Sequence, residues 1–133
     1  MPSANTPSFR HMETKALICV VDDDAILRES LSDLLRAVGY RAACFESAES
    51  FLASEERDRC GCVVADIHMS GLTGLDLAKR VASAVDAPKV ILITGHPDEC
   101  WRERALCAGA VGFLRKPIEP KTLLDLVERS VMT

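Results

Sequence analysis

Residues 16–24 read Ala16-Leu17-Ile18-Cys19-Val20-Val21-Asp22-Asp23-Asp24, six apolar side chains ending abruptly in three acids. A run that is apolar at every position buries both faces of a strand, and such strands belong to parallel sheets covered by helices. The chain that follows agrees. Leu27, Leu31, Leu34, Leu35 and Val38 recur at helical spacing until Gly39 ends the helix. Tyr40 to Phe45 reads as a second strand, and Ser47 caps a short helix through Phe51 and Leu52. Cys62 to Ala65 is a third strand, ending on Asp66, and a loop punctuated by Gly71 and Gly74 leads to a helix carrying Leu75, Ala78, Val81 and Ala82. After Pro88, Val90 to Ile93 forms the fourth strand and ends at Thr94-Gly95. Pro97 opens a fourth helix with Asp98 and Glu99 in its first turn, and Gly109 closes it. Val111 to Leu114 is the fifth strand, running into Arg115-Lys116-Pro117. The last helix runs from Glu119 to Val131 with Leu123, Leu124, Val127 and Val131 inward.

Strict alternation of five strands with five helices predicts right-handed crossovers and a single-domain, doubly wound α/β fold around a five-stranded parallel sheet. No G-x-G-x-x-G or Walker-type loop follows the first strand, so the nucleotide-binding versions of this architecture lose their fingerprint.

Composition narrows the function. The 133 residues carry 16 Lys+Arg against 20 Asp+Glu, a formal net charge of -4, which argues against gripping a phosphate backbone. Aromatics at 5% disfavour base-stacking platforms. No apolar run approaches the ~18 residues of a membrane helix. Six cysteines are too sparse for a disulfide scaffold and, with no secretory signal, read as reduced thiols of a cytoplasmic protein. Residues 1–14, with Pro2, Pro7 and short polar side chains, are expected to be a flexible N-terminal tail, leaving residues 15–133 as the domain.

The strand ends carry the chemistry. Strand one ends at Asp22-Asp23, strand three at Asp66, strand four at Thr94 and strand five at Lys116. In an open parallel sheet the carboxyl ends of the strands form one edge, where ligands bind. Four segments therefore deliver three carboxylates, a hydroxyl and an ammonium to one place. One lysine cannot neutralise three acids, and a hard divalent cation with oxygen ligands is the natural complement. The site reads as built for Mg²⁺ and a phosphoryl group, whose charge Lys116 and Thr94 would share. Any one strand-end acid alone is usually a loop residue or helix cap, and Asp24 is read as such a cap.

Val21-Asp22-Asp23-Asp24, Asp66-Ile67-His68-Met69-Ser70-Gly71, Ile93-Thr94-Gly95-His96 and Leu114-Arg115-Lys116-Pro117 together resemble the response regulator receiver domain of two-component signalling. Ser47-Ala48-Glu49-Ser50-Phe51-Leu52 and Ala108-Gly109-Ala110-Val111 look closest to its FixJ subfamily. The resemblance spans Lys15 to about Val131 and implies a flavodoxin-like sheet with strand order 2-1-3-4-5. It implies that Asp66 is the phosphoacceptor, forming an aspartyl phosphate. Asp23, Asp66 and the His68 backbone carbonyl would ligate Mg²⁺, with Asp22 acting through water. Thr94 and Lys116 would contact the phosphoryl oxygens, and Thr94 and Phe113 would be the switch residues. The implied partners are a sensor histidine kinase or phosphotransfer protein and a second copy, through the face of helix four, strand five and helix five. The domain itself would bind neither nucleic acid nor membrane, and transcription would be controlled through an output domain absent from this chain. It would not be an enzyme, catalysing only its own phosphorylation and dephosphorylation.

Three positions depart from the family pattern: Ser70 stands where Pro is usual, Phe113 lacks the hydroxyl of the common Tyr, and helix four carries Arg102-Glu103-Arg104. The alternatives are a stand-alone receiver in a phosphorelay or interaction role, and a Mg²⁺-dependent phosphohydrolase. A dedicated phosphatase usually has a second acid two residues after its nucleophile, where this chain has His68. Cys19, Cys44 and Cys62 are expected to be buried in strands, Cys107 exposed and Cys100 at a boundary. Cys60-Gly61-Cys62 has no second pair at zinc-ligand spacing. His68 and His96, two residues after Asp66 and Thr94, read either as solvated loop residues or as flanks of the phosphoryl group.

Overall fold

The computed structural model describes residues 16–132; the expected tail over 1–14 lies outside them. The strands are β1 (Leu17–Val21), β2 (Arg41–Phe45), β3 (Cys62–Asp66), β4 (Lys89–Thr94) and β5 (Gly112–Arg115). The helices are α1 (Ala25–Ala37), α2 (Ala48–Leu52), α3 (Gly74–Ala82), α4 (Cys100–Cys107) and α5 (Pro120–Met132), with a short 3-10 turn at Glu56–Asp58. All strand pairs are parallel and the order is β2-β1-β3-β4-β5, as expected. Among the described residues no helix is long and apolar enough to cross a membrane.

Alternation along each strand divides the core into two layers. Ile18, Val20, Cys62, Val64, Ile91 and Ile93 meet Leu31 and Leu35 of α1 and Leu123 and Val127 of α5. Cys19, Val21, Val63, Ala65, Val90 and Leu92 meet α2, α3 and α4 through Phe51, Leu77, Ala78, Val81 and Ala105. Phe51 is fully buried and meets Phe45 edge to face at 5.5 Å; removing such a ring from water contributes ~2–3 kcal/mol.

The helix starts follow local chemistry. The Asp24 carboxylate accepts from the Ile26 and Leu27 amides, the Ser47 hydroxyl from Ser50, and Thr73 and Asp76 form a reciprocal capping box. Gly39 and Gly109 end α1 and α4 at φ of 100° and 101°, a left-handed backbone that glycine adopts without steric cost.

Three expectations need correction. The fourth helix does not open at Pro97: the Asp98 carboxylate accepts from the Cys100 amide at 3.0 Å, a side-chain turn that holds Pro97 to Glu99 outside the helix. Cys44 is exposed, because β2 is the edge strand and its outer margin is not covered. Cys100, expected at a boundary, is exposed because it sits in the first turn of α4, as is Cys107, while Cys19 and Cys62 are buried as expected. Cys60 and Cys62 belong to opposite core layers, so they cannot chelate one ion together, and burial pushes the Cys62 thiol up to about 12.

Candidate functional site

Parallel pairing sets the acidic edge. Val21 lies opposite Ala65, so Asp22 and Asp66 emerge as neighbours from β1 and β3, while Thr94 ends β4 opposite Arg115, beside Lys116. Asp22, Asp66 and Thr94 are buried at 1%, 5% and 0% exposure, whereas Asp23 is exposed. The backbone pins one oxygen of each buried acid: Asp22 Oδ1 accepts from the Asp24 amide at 2.8 Å, and Asp66 Oδ1 from the His68 amide at 2.9 Å. Arg28 secures the base of the cluster by donating to the Asp22 backbone carbonyl at 2.6 Å.

Lys116, whose peptide bond to Pro117 is cis, donates from Nζ to Asp66 Oδ2 at 2.8 Å and lies 3.7 Å from Asp22 Oδ2. Burial works to lower the ammonium's pKa; the Asp66 hydrogen bond and the Asp66 and Asp22 charges outweigh it and hold it above its ordinary value. Burial, helped by the Asp66 charge, lifts the Asp22 carboxyl above the usual carboxylate range. Asp22 Oδ2 is buried without a hydrogen-bond partner among the described residues.

Carboxylate oxygens of Asp22, Asp23 and Asp66 lie within 4.8 Å of one another. Three acids with one nearby ammonium, and one buried oxygen left without a donor, fit a hard divalent cation. Beside them opens a groove of about 240 Å³ lined by Asp66, His68, Gly95, His96, Pro97 and Lys116. A glycine allows this crowding. A Cβ on Gly74 would lie 2.4 Å from the Asp66 carbonyl oxygen, so only glycine lets α3 start this close to the site.

Asp22, Asp23, Asp66 and Lys116 meet at this edge, while the Thr94 hydroxyl at the end of β4 is engaged by His68 and the His96 amide. Phe113 is buried on β5, one strand away from the acids, with the Arg102 guanidinium 5.0 Å above its ring.

Two contacts escaped the sequence reading. Glu49 accepts from the Leu72 amide at 3.0 Å, tying α2 to the loop after Asp66. His68 Nε2 sits 2.8 Å from the Thr94 hydroxyl, and its ring packs on His96 at 3.8 Å and on Trp101 at 4.6 Å. The usable signal was equal spacing: both histidines lie two residues beyond the ends of paired strands, with Asp66 opposite Ile93.

Known proteins share this fold and much of this sequence. The model of the response regulator receiver domain matches residues 18–128. Response regulator protein TodT of Pseudomonas putida F1 is 36% identical over 92% of this chain and 55% of its own length. Transcriptional regulatory protein FixJ of Bradyrhizobium diazoefficiens is 38% identical over 90% of this chain and 58% of its own. The crystal structure of FixJ-N superposes with a TM-score of 0.81 at 32% identity, covering 90% of this chain and 95% of that one. The chain spans about half the length of the curated relatives it matches. With the family model covering most of its length, this chain belongs to the response regulator receiver domains, the signalling domains of two-component systems.

Proposed function

We propose that Asp66 is the phosphoacceptor of this receiver, and that its phosphorylation by a histidine kinase or phosphotransfer protein switches the domain. The observation that carries this is the Asp66 carboxylate itself: buried, inside a three-acid cluster, held by the His68 amide and Lys116, and facing an open groove.

Asp23, Asp66 and the His68 carbonyl would hold Mg²⁺ directly, and Asp22 through water. Mg²⁺ supplies positive charge that offsets repulsion between the carboxylates and an incoming phosphoryl group. Asp66 forms the new O–P bond through one carboxylate oxygen, and the donor leaves with the electron pair of the broken bond. Lys116 moves its hydrogen bond from Asp66 to a phosphoryl oxygen. Thr94 follows toward the same charge, and Phe113 and the α4–β5–α5 face repack around it. That face exposes Leu106 at 54% and Val111 at 47%, which suits contact with a second copy. The similarity to FixJ, a transcriptional regulatory protein, supports a transcriptional output reached through a further domain.

Acetyl phosphate with Mg²⁺ tests the reading. The wild type should take up one stable phosphoryl group per chain, and Asp66→Asn, near-isosteric but without the nucleophilic oxygen, should take up none while keeping its fold. Many turnovers per chain would indicate a phosphohydrolase instead. Labelling of Asp66→Asn at the wild-type rate would place the acceptor elsewhere.

A further inference from the structure

The Thr94 side chain is not waiting idle. It is fully buried, and its hydroxyl oxygen already accepts from the His96 amide at 3.0 Å while lying 2.8 Å from His68 Nε2. A hydroxyl has one proton and two lone pairs. His96 occupies one lone pair, and His68 takes either the proton or the second lone pair, according to its tautomer. The His68 ring is itself wedged: His96 packs against it at 3.8 Å, Trp101 meets it edge to face at 4.6 Å, and Arg104 covers the Trp101 ring at 4.6 Å. His68 and His96 also line the groove in which a phosphoryl group on Asp66 would sit.

We propose that the His68 side chain is a latch on the Thr94 hydroxyl, holding it in the resting arrangement and releasing it when Asp66 is phosphorylated. The proposal rests on the phosphoacceptor reading above and adds a positioning residue to it. The latch is the tautomer whose bare Nε2 accepts the Thr94 proton: in that arrangement Thr94 cannot give the proton to a phosphoryl oxygen and keep His68, so the His68 contact breaks first. The ring that lets go is packed on Trp101, in the first turn of α4. The start of that turn is held by side chains, the Asp98 carboxylate on the Cys100 amide and Arg115 on Glu99, with no cap bond from Glu99 itself. Release of the latch therefore loosens α4 directly, giving the site a mechanical link to a surface helix in addition to the path through Phe113.

The test is the affinity of the Mg²⁺-loaded domain for beryllofluoride, a stand-in for the phosphoryl group, measured by calorimetry. Calorimetry is needed because Trp101 touches the ring being changed. His68→Phe keeps an aromatic ring but loses Nε2, and removing one hydrogen bond from the resting state should tighten binding by about fivefold. His68→Ala should tighten it similarly, and His68→Gln, whose amide can reach the hydroxyl, should return it toward wild type. In a Thr94→Val background the His68→Phe gain should vanish. Unchanged or weaker binding in both His68→Phe and His68→Ala would overturn the latch. So would an equal gain in the Thr94→Val background, which would mean that the ring merely obstructs the groove. Failure of the wild type to bind beryllofluoride or to label at Asp66 would instead overturn the phosphoacceptor reading, and the latch with it.

Discussion

The two halves of the acidic sheet edge are held by different kinds of contact. On the β1–β3 side, Asp22 and Asp66 are fixed by backbone amides, the Asp22 carbonyl is tied to Arg28, and α1 starts on a bonded Asp24 cap. On the β4–β5 side, Thr94 also accepts from a backbone amide, that of His96, but the other contacts run from side chain to side chain: Thr94 to His68, His68 to Trp101, Arg104 over Trp101, Arg102 over Phe113, and Arg115 to Glu99 at 2.8 Å. Backbone-anchored groups have few alternative positions, whereas side chains exchange partners at a cost of about one hydrogen bond or ring contact, ~1 kcal/mol each. One half is built to hold charge in place and the other to change partners. A switch needs both: a site that does not drift when a phosphoryl group arrives, and a neighbouring layer with two arrangements of similar energy.

The largest way to break this contrast is to crowd the rigid half. Gly74→Ala gains ~1 kcal/mol of helix propensity, but its Cβ meets the Asp66 carbonyl at 2.4 Å. Because backbone must move to accept it, overpacking wins and the variant should lose ~2 kcal/mol net in urea unfolding. A variant as stable as wild type would show that the α3 start is not tightly fixed.

Next in size is the metal. A Mg²⁺ ion held only by the assembled acids should, at about 10-fold its dissociation constant, add ~1.4 kcal/mol and raise the thermal midpoint by several degrees. Asp23→Ala removes the exposed ligand and should abolish most of that rise; a full rise in the variant would mean the cation sits elsewhere.

A smaller effect separates the halves. Lys116 bonds Asp66 in the resting domain and would face phosphoryl oxygen in the other state. Lys116→Ala should leave Mg²⁺ affinity unchanged, or raised by no more than about threefold as one repelling charge is lost. Its Trp101 fluorescence response to beryllofluoride should shrink, and a wild-type response would make Lys116 a loop residue without a part in the switch.

Much of this was legible in the chain. The acids at the ends of β1 and β3 stand out because apolar runs end on them, and sheet topology alone brings them together. Asp24 reads correctly as a cap because capping is local. The α4 start was misplaced because Asp98 has two local options, first-turn acid or side-chain turn, and nearby residue types do not choose between them. Cys44 was misjudged because edge position depends on strand order, which no five-residue window contains. The His68–Thr94 contact spans 26 residues and becomes visible only once β3 and β4 are paired in register.

The division of labour is tested most directly by backbone amide chemical shifts, recorded on the Mg²⁺-loaded domain with and without beryllofluoride. Beyond the loops that touch the ligand, the account predicts large changes through β4, α4 and β5, with Trp101 and Phe113 among the most affected, and quiet spectra over α1 and β2. Changes of equal size in α1 and β2, or changes confined to the ligand-contacting loops with α4 silent, would contradict it.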